Sequence, residues 1–124
     1  MPYSLTVISH FDAAHYLRDY PGKCYNLHGH RWTVEVAVEG EELNDLGILV
    51  DFKDVKRVLK DEVEDYFDHY CLNDLEPFDK VNPTAENLAR YIYQSIAVDI
   101  DRLGVQLDSV TIWESPECSA TYWE

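Results

Sequence analysis

Trp32, Val34, Val36 and Val38 alternate with Thr33, Glu35 and Ala37. This period-2 pattern calls for an extended strand with one buried face, because successive strand side chains point to opposite sides. A chain with such a segment must supply a sheet for it and something apolar to cover it. Leu5, Val7, Phe11 and Ala13 fall at odd positions between Tyr3 and Tyr16, which predicts a preceding strand of the same kind. Gly40 to Gly47 reads as a polar turn, and Ile48 to Phe52 is expected to be a third strand. The period then changes. Val55, Val58, Leu59, Val63, Tyr66 and Phe67 recur at helical spacing between Asp54 and Phe67. Thr84, after Asn82-Pro83, is an N-cap for a second helix carrying Leu88, Tyr91, Ile92 and Ile96 and ending near Leu103-Gly104. Alternation returns from Val105 to Trp113, and Ser119 to Trp123 closes with a short strand.

Strands joined mostly by short turns, with two helices between them, predict an α+β fold in which an antiparallel sheet carries both helices on one face. The 124 residues fit a single domain, 1–124. The uncovered face and the open edges of so small a sheet are natural places for oligomerisation. Twenty-four acidic residues against ten Lys and Arg leave a net charge of −14, which repels phosphate backbones and anionic lipid and argues against nucleic acid or membrane as a partner. The first residues, MPYSLTVISHFDAAHYL, lack the pattern of a signal peptide, so a cytoplasmic protein is expected. Cys24, Cys71 and Cys118 are odd in number and widely spaced, unlike a disulfide framework, and are expected to be reduced; Cys71 and Cys118 suggest no role.

The chemistry concentrates in Cys24-Tyr25-Asn26-Leu27-His28-Gly29-His30. Two histidines one residue apart on a strand point to the same side, their backbones about 6.6 Å apart, so both imidazoles can reach one ion. Such pairs also occur as plain polar surface. His15 adds a third imidazole, on the face shared with Phe11 and Ala13, where the pattern asks for an apolar residue. Three histidine ligands leave a fourth position open for water or substrate, the arrangement of catalytic rather than structural zinc. His10 falls on the other face and is expected to be ordinary surface. Cys24, four residues before His28, becomes a useful base or nucleophile only if a nearby cation lowers its pKa; otherwise it is an inert thiol. Asp68-His69 places a carboxylate beside an imidazole, although neighbouring residues often point apart. Glu114 interrupts the apolar run Val110 to Trp113, and its acceptor-only carboxylate could receive two adjacent N–H donors of a ring, or stand as surface charge.

Taken together these residues resemble the 6-pyruvoyltetrahydropterin synthase family. Phe11-Asp12-Ala13-Ala14-His15 resembles its first zinc motif, Cys24 to His30 its Cys-X3-His-Gly-His motif, and Asp68-His69 with Leu72-Asn73 its Asp-His motif. Asn82-Pro83-Thr84-Ala85-Glu86 resembles the start of its second helix, and Glu114 falls where the family has its pterin-anchoring glutamate. Three residues between Cys24 and the His-Gly-His resemble the 6-carboxytetrahydropterin synthase branch of the 7-deazaguanine (queuosine) route. The resemblance implies a tunnelling fold whose sheets join into a barrel, as a homohexamer with sites between subunits, so that Glu114, Asp68 and His69 could serve a neighbour's metal. It implies Zn2+ held by His15, His28 and His30, catalysis by Cys24, Asp68 and His69, and a pterin triphosphate as substrate. The reaction would convert 7,8-dihydroneopterin triphosphate to 6-carboxy-5,6,7,8-tetrahydropterin, acetaldehyde and triphosphate. Lys23 and Arg31 are the basic candidates for the triphosphate. The rivals are a 6-pyruvoyltetrahydropterin synthase with the same residues, a non-catalytic zinc or pterin-binding module, and an interaction protein with structural histidines.

Overall fold

The structure is a computed structural model that describes residues 1–124. Strand β1 (Tyr3–His15) and strand β2 (His28–Gly40) pair antiparallel along their whole length, from Tyr3 opposite Gly40 to His15 opposite His28. Strand β3 (Gln106–Ser115) lies on the far side of β2, and strand β4 (Cys118–Tyr122) on the far side of β3, so the antiparallel sheet has the order β1-β2-β3-β4. The inward face carries Phe11, Trp32, Val34, Val36, Val110 and Ile112, all essentially inaccessible to solvent. The alternation that calls for a sheet therefore also selects its buried side.

Two helical rods cover that face. The first begins at helix α1 (Phe52–Leu59), widens through one π-type stretch (Lys60–Glu64) and finishes as helix α2 (Asp65–Phe67). The wide stretch has a cause in the sequence. Val55, Leu59, Val63 and Phe67 recur every four residues and are all buried. At 3.6 residues per turn such a row drifts round an α-helix by about 40° at each step; a wider turn absorbs the excess and returns Phe67 to the sheet. The second rod is helix α3 (Ala85–Arg102), capped by Thr84, whose hydroxyl accepts from the Asn87 amide, and it buries Leu88, Ile92, Ile96 and Ile100. Sheet and rods share one core of 24 buried apolar residues.

The expected third strand, Ile48 to Phe52, does not form. Asn44 gathers this segment into a turn by accepting from the amides of Leu46 and Ile48. Asp51 is the N-cap of α1, accepting from the Lys53 amide at 2.9 Å, so the helix has begun at Phe52. Of the apolar run only Val50 is buried. The sheet has four strands in place of the expected five.

Two bulges interrupt the pairing. Across β2 and β3 it shifts between Ala37 opposite Ser109 and Val38 opposite Leu107, which leaves Asp108 unpaired and keeps both Leu107 and Val110 inward. Across β3 and β4 it shifts between Trp113 opposite Ser119 and Ser115 opposite Cys118, so the unpaired residue is Glu114.

Candidate functional site

His15 is the last residue of β1, and His28 and His30 open β2 directly opposite it. Register alone brings the three imidazoles together on the inward face. One ring nitrogen of each lies within 4.8 Å of the other two. His15 Nδ1 is 2.8 Å from the Pro83 carbonyl and His28 Nδ1 is 2.7 Å from the Asn26 carbonyl. A carbonyl can only accept, so both Nδ1 atoms carry the proton and both Nε2 atoms present a lone pair. The Nε2 atoms of His15, His28 and His30 are buried with no hydrogen-bond partner. Three buried, unpartnered ring nitrogens converging on one point are costly unless a cation receives them. The site fits a metal ion, and the two carbonyls are the supports that orient such ligands.

Trp32 forms the wall behind them. Its ring meets those of His15 and His30 edge-on at 4.9 and 5.2 Å, and its indole N–H donates to the Ala13 carbonyl. Burial, the largest influence, pushes the pKa of both His15 and His30 below the ordinary histidine value. Burial thus favours the neutral ring, the form a metal ligand needs. Glu114, aimed inward at its bulge, brings Oε1 to 3.4 Å from His15 Nε2 and 3.5 Å from His30 Nε2. These are approaches rather than hydrogen bonds, and they place a carboxylate at the mouth of the cluster in the same chain.

Asp68 and His69 lie elsewhere. Asp68 Oδ1 accepts from the Asp12 amide and the His69 amide donates to the Asp12 carbonyl, which ties the pair to the outer edge of β1. His69 adopts φ 65°, and this left-handed turn lets its Nδ1 come to 2.8 Å from the Oδ2 of the residue before it. The two do form a dyad, where adjacency alone would leave them pointing apart. The Asp12 amide, first, and the His69 ring hold the Asp68 carboxyl below the ordinary value. The ring is well exposed and borders a cleft of about 540 Å³ with Asp12, Gly29, His30, Arg31 and Cys71. No hydrogen bond or ion pair joins the dyad to the three histidines of its own chain.

Cys24 sits half-buried in a short 3-10 turn (Lys23–Tyr25), held to the end of β1 by the Leu17 amide donating to its carbonyl. Its thiol is outside the group that can share the ion. Arg31 is exposed and pairs with Asp12 at 3.7 Å, and Lys23 is exposed on the turn. His10 is surface, 3.0 Å from the Thr33 hydroxyl, as expected.

The model of the family described as 6-pyruvoyl tetrahydropterin synthase matches residues 4–124. The chain belongs to that family. A relative from Bacillus subtilis named 6-carboxy-5,6,7,8-tetrahydropterin synthase is 37% identical over 130 residues, which cover 98% of this chain and 86% of the relative. A protein of the same name from Haemophilus influenzae is 30% identical over 135 residues, covering 92% and 94%. Among solved structures, the 6-pyruvoyl tetrahydropterin synthase of Caenorhabditis elegans superposes with a TM-score of 0.86 at 27% identity, covering 98% of this chain and 95% of that one. This chain is thus a member of a family of tetrahydropterin synthases with a triad of histidines that can hold a metal. No helix in it is long and apolar enough to cross a membrane.

Of the residues named from the sequence the structure brings His15, His28 and His30 together, with Glu114 approaching them; the supports of the histidines are not read from the sequence. The carbonyls of Asn26 and Pro83 have no sequence signal. Asn73 enters the sequence reading only as part of the Asp-His motif, and its burial is a finding of the structure.

Proposed function

We propose that this member of the pterin synthase family converts 7,8-dihydroneopterin triphosphate to 6-carboxy-5,6,7,8-tetrahydropterin, acetaldehyde and triphosphate, supplying the 7-deazaguanine route. The observation that carries the reading is the convergence of three buried, unpartnered Nε2 atoms on one point. Zinc is the ion that best suits three neutral imidazoles with a fourth position open. The choice of branch is supported by the spacing of Cys24 from His28 and by the names of the Bacillus and Haemophilus relatives.

His15, His28 and His30 would hold the zinc. When bound, it supplies Lewis acidity toward the oxygens of the substrate side chain. Cys24, on the turn that leads into His28, would take and return the carbon-bound proton. Asp68 accepts from His69 Nδ1, leaving Nε2 to exchange protons with the side-chain oxygens. Glu114 would accept the pterin N–H donors and so set which carbon faces the metal. Arg31 and Lys23 are the cations available to the triphosphate.

Within one chain the dyad shares a cleft with His30 but makes no hydrogen bond or ion pair with the three histidines. This arrangement supports a site completed between subunits, with His69 serving the zinc of a neighbour in a hexamer. The outer edge of β1 from Tyr3 to His10, and that of β4, offer the backbone groups through which sheets could join into a barrel. The test is to incubate the zinc-loaded protein with 7,8-dihydroneopterin triphosphate, assay acetaldehyde and identify the pterin by mass. Acetaldehyde with the 6-carboxy product supports the reading. A 6-pyruvoyl product without acetaldehyde moves the chain to the other branch, and zinc binding without turnover leaves a binding module.

A further inference from the structure

β1 ends at His15, so one ligand of the cluster occupies the position where a strand frays. The chain beyond it is held by side chains acting as a substitute strand. Asn73 Oδ1 accepts from the Tyr16 amide and Asn73 Nδ2 donates to the Tyr16 carbonyl, each at 2.9 Å. Asn82 repeats this two residues on: Oδ1 accepts from the Arg18 amide at 2.9 Å and Nδ2 donates to the Arg18 carbonyl at 3.0 Å. The same edge is already engaged at Asp12 by Asp68 and His69, and at Ala14 by the Tyr70 carbonyl. Amides 12, 14, 16 and 18 therefore all find acceptors in the segments between the first helical rod and α3.

Asn82 is also the residue before Pro83, whose carbonyl receives His15 Nδ1. Its own carbonyl accepts from the Thr84 amide and from Asn87 Nδ2, which fastens it to the start of α3. The distance between His15 and Pro83 is thus fixed from both ends, by the tie from 73 to 16 and the tie from 82 to 18. No hydrogen bond joins either asparagine to an imidazole of the cluster. We infer that Asn73 and Asn82 are positioning residues for the metal centre: they lock His15 in the Nδ1–H form and aim its Nε2 at the ion. This rests on reading the three histidines as a metal centre.

The test is zinc affinity by competition with a chelator, with the visible spectrum of the Co(II)-substituted protein as a readout of coordination. Asn73→Ala and Asn82→Ala are each expected to weaken zinc binding by about 10- to 100-fold, the usual cost of removing an outer support, and to alter the Co(II) spectrum. Asn44→Ala, which removes the acceptor for Leu46 and Ile48 in a turn outside the site, is the control for lost stability and should bind zinc normally. In a His15→Ala background neither asparagine change should weaken binding further, since both act through His15. Should Asn73→Ala not fold, the more peripheral Asn82→Ala carries the same test. Wild-type affinity and spectrum in the asparagine variants, or an equal loss in the His15→Ala background, overturns the inference while the metal centre stands. A wild-type chain that binds no zinc overturns both.

Discussion

At the scale of single residues, the two carboxylates named for the reaction are held in opposite ways. Asp68 is fastened to the strand by the Asp12 amide and to the dyad by His69. Its folded pKa is lowered, so its contribution is present above the ordinary carboxylate value of about 3.9 and is lost as pH falls through the folded value. Asp68→Asn keeps an oxygen for Asp12 but not the charge. Its melting temperature should lie below that of the wild type near neutral pH, with the gap closing below about pH 3.9; turnover should fall roughly 100-fold, as expected when a general acid–base loses its orienting partner. A gap that widens in acid contradicts this. Glu114 presents a free oxygen to the cluster's mouth. Glu114→Gln should keep its zinc and lose pterin affinity by about 10-fold or more, since a donor replaces part of an acceptor; metal analysis and pterin binding read the two separately. Loss of zinc instead would make Glu114 a ligand. Residue parity makes the three histidines legible in the sequence, and Glu114 is legible because it interrupts the apolar run Val110 to Trp113. The left-handed turn of His69 was not legible, since nothing in a local pattern shows that a histidine adopts φ 65°.

At the scale of elements, the four-residue recurrence of Val55, Leu59, Val63 and Phe67 accounts for the wide stretch Lys60–Glu64, and that stretch delivers the dyad to the edge of β1. Inserting an alanine after the exposed Glu62 adds a residue that the wide stretch has no further turn to absorb, and rotates Phe67 and Asp68 by about 100°. The variant should melt lower by at least several degrees, retain zinc and lose turnover, as measured by thermal denaturation, metal analysis and product assay. Unchanged activity would contradict the link between wide turn and dyad. The helix itself was readable from its apolar spacing; the widening was hidden in the difference between 3.6 and four. The strand expected at Ile48 to Phe52 shows the opposite difficulty. Three consecutive apolar residues fit a buried strand and a loop tucked against a sheet equally well. Asp51 decides between them, because its carboxylate caps the next helix.

At the scale of the whole molecule, the sheet buries the three Nε2 atoms while the dyad beside its edge stays exposed, and the first half of β1 and all of β4 are open edges. If sites are completed between subunits, Cys24→Ala and His69→Ala chains, each inactive alone, should regain a measurable fraction of wild-type activity when mixed after dissociation and reassembly. No recovery in mixed oligomers of confirmed composition would contradict a shared site. Oligomerisation is suggested by the open edges and uncovered face that so small a sheet must have, and its barrel and hexamer form only by the resemblance. Everything depends on what the three orphaned nitrogens hold, so the most direct measurement is the zinc content of the purified chain beside its His28→Ala variant. We predict one zinc per wild-type chain and a small residual fraction in a folded variant; a metal-free wild type, or equal zinc in both, would contradict the account.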